Sequence, residues 1–105
     1  LAEDPRILAL LVRMAGAGKF TAAICAAPTV LAKAGLLKGK QATSYPGFLD
    51  KMALPDVRYV HDAVVSDGKV LTSRGPGTAM DFALALIEAL AGSDKRNGVE
   101  VGLVR

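Results

Sequence analysis

Cysteine, histidine and tryptophan are scarce in this sequence: one cysteine, one histidine and no tryptophan occur among 105 residues. A single cysteine excludes an internal disulfide and a multi-cysteine zinc site, and a single histidine argues against a histidine-rich metal centre. We therefore expect a metal-independent protein of a reducing compartment, which makes the cytoplasm the predicted location.

Aromatic residues, clustered charge and long apolar runs are also scarce. The aromatic residues number five, the net charge is +3, and the cations are scattered mostly as single residues. Without aromatics interleaved in a basic run there is no stacking platform for single-stranded nucleic acid, so nucleic acid is not an expected partner. Apolar stretches such as residues 7–12 are far shorter than the roughly 18 residues of a membrane span. No membrane partner is expected either.

Periodicity and turn residues predict alternating helices and strands. Asp4-Pro5 is a helix start, because the Asp side chain can cap the first turn and Pro suits the first helical position. Apolar spacing and Gly or Pro boundaries then predict helices over residues 5–15, 28–34 and 79–91 and strands over 20–24, 41–43, 58–65 and 70–73. Alternating helices and strands indicate an α/β domain with a mostly parallel sheet.

Three further segments can be interpreted from their turn and capping residues. Residues 66–69 predict the turn of an antiparallel hairpin. Thr78 is expected to cap the last long helix, with Asp81 at its third position as in a capping box. The tail from Asp94 onwards is ambiguous, because Asn97-Gly98 disfavours a helix while the following apolar residues alternate as in a strand.

The strand count is low for a parallel sheet covered on both faces, and the first predicted element is a helix with no strand before it. A small sheet would explain this, but we favour the alternative that N-terminal strands are lacking. Residues 1–105 are then expected to be the C-terminal part of a single domain.

The segment that carries chemistry is Thr21 to Thr29, an apolar strand that turns through Cys25 directly into a helix. Small residues on both sides permit a sharp turn, which is the layout of a nucleophile elbow. A helix N-terminus favours the thiolate form of a cysteine, and the backbone N–H of Ala26 could donate to an oxyanion. The alternative is that Cys25 is a small buried hydrophobic residue, as most lone cysteines are.

A second motif, Thr72 to Thr78, is followed by a helix beginning at Asp81. Together with the segment Ala22 to Pro28, it resembles the ThiJ/PfpI superfamily, in particular its Parkinsonism-associated deglycase and YajL-like branch. The resemblance runs from about residue 6 to residue 92, with matching order and spacing. It implies a flavodoxin-like α/β sandwich, a homodimer, and a reactive cysteine at Cys25.

The resemblance also implies an activity. Family members are associated with glyoxalase and deglycase activity on methylglyoxal-like aldehydes or their adducts, and with redox-sensing or chaperone roles under oxidative stress. We expect a cofactor-free enzyme in which the Cys25 thiolate attacks the aldehyde. The alternatives are a redox sensor or chaperone whose cysteine is oxidised to a sulfinate without turnover, and a cysteine hydrolase of the same superfamily.

Two departures from the family pattern affect the predicted site. The family's glutamate partner belongs to an N-terminal segment, and none of Glu3, Glu88 or Glu100 fits its role. Where some members carry a histidine before a proline, this sequence has Tyr45, which could donate a hydrogen bond but is a poor general base. His61 falls in a different strand and is expected to be an ordinary surface histidine.

The loop of the second motif completes the predicted site. Arg74, Gly75 and Pro76 are expected to contact substrate, with Arg74 as an anion-orienting group or simply a solvated arginine. Phosphate binding by this glycine loop is disfavoured, since no Gly-Lys-Ser/Thr signature accompanies it. The expected partners are a small aldehyde or glycated substrate, the N-terminal segment of the same protein, and a second copy of the chain.

Overall fold

The computed structural model describes residues 4–104. In this part of the chain, helices and strands alternate as the sequence predicts. The helices are α1 (Pro5–Gly16), α2 (Pro28–Lys33), α3 (Ala79–Ala91) and α4 (Ser93–Leu103), and the strands are β1 (Thr21–Ile24), β2 (Gln41–Ala42), β3 (Arg58–Tyr59), β4 (Val64–Asp67) and β5 (Val70–Ser73). Short 3₁₀ turns cover Leu49–Lys51 and Pro76–Thr78.

The main sheet has the strand order β1-β5-β4, and β5 lies at its centre. β1 runs parallel to β5 with Ile24 opposite Ser73, and β4 runs antiparallel to β5. A second sheet pairs β2 with β3, again in parallel. The parallel pairing of β1 with β5 brings the carboxyl ends of both strands to one edge, so the residues that follow them meet there.

The predicted strand over residues 58–65 is wrong in its extent, because β3 and β4 are separate and belong to different sheets. The hairpin turn is also shorter than predicted. Ser66 and Asp67 pair within β4, and only Gly68-Lys69 connects the strands, with Gly68 at a φ of +61°. Glycine takes that left-handed conformation without steric cost, which explains its place in the turn.

The expected strand over residues 41–43 ends one residue early. The N–H of Thr43 donates 3.0 Å to Oγ1 of Thr72 instead of continuing the pairing with β3. This side-chain contact links β2 to the central strand β5. Backbone pairing and side-chain bonding compete for the same N–H, and local sequence patterns do not show which one wins.

The C-terminal tail, for which the sequence left helix and strand open, is a helix, since α4 runs through Asn97-Gly98. Thr78 is the N-cap residue of α3 and Asp81 lies in its first turn, as predicted, but the Thr78 hydroxyl makes no capping hydrogen bond because it is used in the preceding loop. By contrast, Asp4 caps α1 as predicted, accepting 2.9 Å from the N–H of Arg6, and Pro5 opens the helix.

The core lies between the sheet and the two helices that flank Cys25 in sequence. Its buried members come from β1, α2, the loop after α2, β2, the first 3₁₀ turn and β5: Ala23, Leu31, Leu37, Ala42, Leu49 and Val70. The apolar stripe expected on α1 is only partly covered, since Leu11 packs against the core while Val12 stays 49% exposed. Among residues 4–104, no helix is both long enough and apolar enough to cross a membrane.

Candidate active site

Cys25 follows the last residue of β1 and adopts a φ of +62°. A non-glycine residue in this left-handed region costs on the order of 1–2 kcal/mol, so surrounding contacts must hold it there. Two backbone hydrogen bonds do so: the Cys25 N–H donates to the Ser73 carbonyl at 3.2 Å, and the Tyr45 N–H donates to the Cys25 carbonyl at 2.8 Å. The sharp strand-to-helix turn predicted from the sequence is present.

The turn leads directly into α2, whose first residue is Pro28. Thr29 donates from its hydroxyl to the Ala26 carbonyl at 2.7 Å and from its N–H to the same oxygen at 3.1 Å. Within the described part of the chain, no hydrogen bond uses the N–H of Ala26. This N–H, adjacent to the half-buried Cys25, is therefore available to a ligand.

Gly75 lies against the cysteine. A Cβ built on Gly75 would stand 3.9 Å from Cys25 Sγ and 3.1 Å from Cδ2 of Tyr45. The φ of Gly75 is 175°, an extended conformation open to any residue, so the requirement for glycine at this position is one of space. The structure thus brings together three of the residues predicted for the site, although they come from three separate segments.

Pro76 and Tyr45 border this arrangement on its solvent side. Pro76 is exposed, and Tyr45 is 48% exposed with its ring edge-on to Phe48 at a centroid distance of 6.3 Å. The phenolic hydroxyl of Tyr45 makes no hydrogen bond to another described residue. The edge of the Tyr45 ring and the Cys25 thiol thus both lie against Gly75, and the Tyr45 hydroxyl can still donate a hydrogen bond.

Thr78 organises the loop that carries Gly75. Its Oγ1 accepts from the Gly75 N–H at 3.0 Å and from the Arg74 N–H at 3.3 Å, and it lies 2.7 Å from Oγ of Ser73. Ser73 in turn donates to the Ala63 carbonyl at 2.6 Å. One hydroxyl therefore links the end of β5 to the glycine loop, which explains why it makes no hydrogen bond into α3 although Thr78 is the N-cap residue of that helix.

Arg74 is held by β3 and the segment after it. Its guanidinium donates 2.8 Å to the hydroxyl of Tyr59 and lies 3.2 Å from Nδ1 of His61. Because a guanidinium can only donate, Nδ1 of His61 is the acceptor and the ring proton is on Nε2. Arg74 is thus a fixed, partly buried cation rather than a solvated one.

The rings around Arg74 reinforce this position. The Tyr59 ring meets His61 edge to face at 5.1 Å, and the Arg74 guanidinium carbon lies 5.7 Å from the Tyr59 centroid. His61 is exposed, as expected, but it has a defined role as a partner of Arg74. The sequence reasoning missed Tyr59 and assigned no such role to Thr78; a hydroxyl after a Gly-Pro-Gly loop is a signal that could have drawn attention to Thr78.

Glu88 and Glu100, which the sequence analysis excludes as the family's catalytic glutamate, both form ion pairs with an arginine. Arg96 in α4 pairs with Glu100 at 3.1 Å and with Glu88 in α3 at 3.8 Å. Glu3 lies outside the described residues. Residues 4–104 contain no cluster of three His, Cys, Asp or Glu side chains that could hold a metal ion.

This geometry defines a class: an α/β protein with a strained cysteine at a strand-to-helix elbow and a glycine loop packed against its thiol. A model of the DJ-1/PfpI family matches residues 1–89. The chain therefore belongs to the DJ-1/PfpI family, and the predicted superfamily and flavodoxin-like α/β fold are confirmed.

Individual proteins are similar to this chain over nearly its whole length. The curated "Protein dj-1beta" of Drosophila melanogaster is 47% identical over 105 residues, which is 99% of this chain and 56% of that protein. A Caenorhabditis elegans protein named "Glutathione-independent glyoxalase DJR-1.2" is 41% identical over 94% of this chain and 53% of its own length. The crystal structure of Drosophila DJ-1beta superposes with a TM-score of 0.90 at 47% identity, over 98% of this chain and 55% of that one. The chain thus spans about half the length of the relatives it matches.

Proposed function

We propose that this chain is part of a cysteine-dependent, cofactor-free enzyme that converts methylglyoxal-like aldehydes, or releases them from glycated adducts. This proposal rests on the left-handed backbone conformation of Cys25 and on Gly75, which lies close to its Sγ. A positive φ raises the thiol out of the strand, and the glycine leaves room for a carbonyl carbon beside it. Similarity to a protein named as a glyoxalase supports the substrate class.

The reaction balances without an external oxidant. The Cys25 thiolate adds to the aldehyde carbon, and the carbonyl oxygen takes a proton to give a hemithioacetal. A base moves the proton from this carbon to the neighbouring carbon, which leaves a thioester of the 2-hydroxy acid. Water then hydrolyses the thioester, so that one methylglyoxal and one water yield one lactic acid and free thiol. The aldehyde carbon is oxidised and the ketone carbon is reduced.

Three of this chain's groups have roles in that sequence. The N–H of Ala26 donates to the oxyanion that forms at the attacked carbon. The Tyr45 hydroxyl donates to the second oxygen of the substrate, and Arg74 orients the developing carboxylate. Since Glu88 and Glu100 are paired with Arg96, we expect the proton-transferring carboxylate to come from a segment outside this chain.

We also propose two partners for this chain. On α1, Leu10 and Met14 lie one turn apart on the same face and are 44% and 40% exposed, so covering that face would remove apolar surface from water. The proposed partners at this surface are an N-terminal segment of the same domain and a second copy of the protein, which would form a homodimer.

The test is lactate production from methylglyoxal by the natural-length protein. Cys25→Ala and Cys25→Ser are expected to reduce the rate to the uncatalysed level, because neither supplies a thiolate. Cys25→Ser serves as the matched control for shape. Lactate formation by the serine or alanine variant at the wild-type rate would refute the catalytic role.

A second candidate function is redox sensing, and the partly exposed, single Cys25 favours it. No other thiol in this chain can trap its sulfenic acid as a disulfide, so two peroxide molecules oxidise the thiolate to a sulfinate and leave two waters. Mass spectrometry after mild peroxide distinguishes the functions. A stable gain of two oxygens on Cys25, combined with no aldehyde turnover by the untreated protein, would favour the sensor.

A further inference from the structure

Two exposed aromatic residues lie together beside the cysteine site. Tyr45 is 48% and Phe48 42% exposed, and their rings meet edge to face with 71° between the two planes. The other three aromatic residues are half-buried: Phe20, Tyr59 and Phe82. Because each exposed ring leaves apolar surface in water, such a pair next to a thiol indicates a place for an apolar group.

The loop that carries both rings is anchored, so their exposure does not come from a loosely attached segment. Oγ of the buried Ser44 accepts from the N–H of Leu49 at 3.0 Å, and Leu49 is a member of the core. Oδ1 of Asp50 accepts from the N–H of Gly47 at 2.8 Å. The fold therefore holds the two rings in a fixed place on the surface.

The Tyr45 ring is within reach of a group bound to the thiol. The point where a Cβ on Gly75 would stand is 3.1 Å from Cδ2 of Tyr45 and 3.9 Å from Sγ of Cys25, so these two atoms are at most 7.0 Å apart. By ordinary bond lengths, a phenyl ring joined to sulfur through two carbon atoms spans distances of about 4 to 7 Å from the sulfur. Such a ring can contact Tyr45 while its aldehyde carbon is bonded to Cys25.

The exposed surface of the two rings suits a small group better than a protein segment. A buried aromatic side chain covers roughly 150–250 Å². Both residues are already more than half buried, so together they leave on the order of 200 Å² to cover. A specific protein interface buries about 800 Å² on each partner. The neighbouring loop residues, Pro46, Gly47 and Asp50, add no large apolar side chain.

We propose that Tyr45 and Phe48 form an aryl subsite, which binds the substituent of the carbonyl compound that Cys25 attacks. The preferred substrates are then aryl α-oxoaldehydes such as phenylglyoxal, rather than methylglyoxal. This inference names the substrate class of the site proposed above and so rests on the reactivity of Cys25. The steps are those already given: one phenylglyoxal and one water yield one mandelic acid, and the bond to the phenyl ring stays intact.

A simpler role for Phe48 is to hold the Tyr45 ring in position. That role predicts that removing the Phe48 ring slows the reactions of methyl and aryl substrates equally. The aryl subsite predicts a loss confined to the aryl substrate, because a methyl group is too small to contact both rings.

The experiment compares kcat/KM for phenylglyoxal with kcat/KM for methylglyoxal in the natural-length protein. Each variant's ratio is divided by that of the wild type, so the different intrinsic reactivities of the two aldehydes cancel. Phe48→Ala should lower the ratio at least fivefold, and Phe48→Tyr, which keeps the ring, should stay within twofold. Leu90→Ala removes a 65% exposed apolar side chain from α3 and is the control, with an unchanged ratio. Tyr45→Phe should keep the ratio while slowing both reactions.

Alkylation of Cys25 gives a second measurement that needs no turnover. Phenacyl bromide and bromoacetone place a phenyl or a methyl group at the same distance from sulfur, and mass spectrometry of the Cys25 peptide follows each rate. Phe48→Ala should lower the phenacyl-to-acetonyl rate ratio at least fivefold. If this loss occurs in a protein that converts neither aldehyde, the glyoxalase proposal fails and the aryl subsite stands.

Three results would overturn the aryl subsite. The first is a ratio in Phe48→Ala that equals the wild-type ratio in either assay, including the case in which both reactions slow equally. The second is an equal fall of the ratio in Leu90→Ala. The third is a Phe48→Ala protein that changes its oligomeric state and keeps its ratio, since the rings would then cover a protein contact.

Discussion

The N–H of Tyr45 donates a 2.8 Å hydrogen bond to the carbonyl of Cys25. The loop after β2 is thereby attached to the elbow that follows β1, although the two segments are not in the same sheet. The bond explains how a cysteine can stay in a left-handed conformation, since the cost of that conformation is offset by contacts on both sides of its peptide.

The strain at Cys25 predicts an unusual order of stability among its variants. Cys25→Gly should unfold with a free energy about 1 kcal/mol higher than Cys25→Ala, because glycine takes a φ of +62° without the Cβ conflict that alanine retains. Urea denaturation of both variants measures this difference. An alanine variant as stable as the glycine variant would mean that the turn relaxes once the thiol is removed.

The space beside the thiol predicts a local effect of Gly75→Ala. The new Cβ would stand 3.1 Å from the Tyr45 ring, and this exposed ring must turn away to accept it. We expect a loss of about 1 kcal/mol in unfolding free energy, which is the low end of the range for an added methyl group because the ring can move, but several-fold slower alkylation of Cys25 by iodoacetamide. Gly77→Ala, which meets nothing within 4 Å, is the control and should leave the alkylation rate unchanged.

The hydroxyl of Thr78 predicts a larger loss of stability. Thr78→Val leaves the N–H groups of Arg74 and Gly75 without their acceptor, at a cost of about 1–3 kcal/mol. Thr78→Ser keeps the oxygen and should recover most of that free energy in urea titrations. If valine and serine were equally stable, water would be replacing the hydroxyl in this loop.

The anchoring of Arg74 is tested by a pair of matched tyrosine variants. Tyr59→Phe removes an acceptor of the guanidinium and should lower the unfolding free energy by about 1 kcal/mol. Tyr45→Phe removes a hydroxyl that bonds to no other described residue and should leave stability unchanged. If Arg74 orients substrate, Tyr59→Phe should also raise KM, while Tyr45→Phe lowers kcat by removing the proposed donor.

The cap of α1 predicts a pH dependence at the start of that helix. The side chain and backbone N–H of Arg6 hold the pKa of the Asp4 carboxyl below its usual range. A lowered pKa in the folded state stabilises the helix at neutral pH, and this contribution is lost as the pH falls through the lowered pKa. The protection factor of the Arg6 N–H, which is its hydrogen-exchange rate compared with the intrinsic rate at the same pH, should therefore fall in acid. Asp4→Asn should abolish the pH dependence, and Asp62→Asn should not.

Much of the local structure could be predicted because its causes lie within a few residues. Asp4-Pro5 starts α1, glycines end three of the predicted elements, and a short apolar run bounded by glycine marks β1. The errors occur where long-range contacts compete with local ones. The hydroxyl of Thr78 serves the loop rather than the helix, and residues 60–63 separate two strands that the pattern predicted as one.

The sequence by itself determined the family, the α/β class and Cys25 as the residue to examine, since motifs, periodicity and turn residues are local properties. Only the tertiary structure decided which distant residues meet. Parallel pairing of β1 with β5 places Gly75 beside Cys25, and the end of β3 brings Tyr59 to Arg74. Strand register and loop closure set these contacts through packing over the whole domain, so no short segment of the sequence contains them.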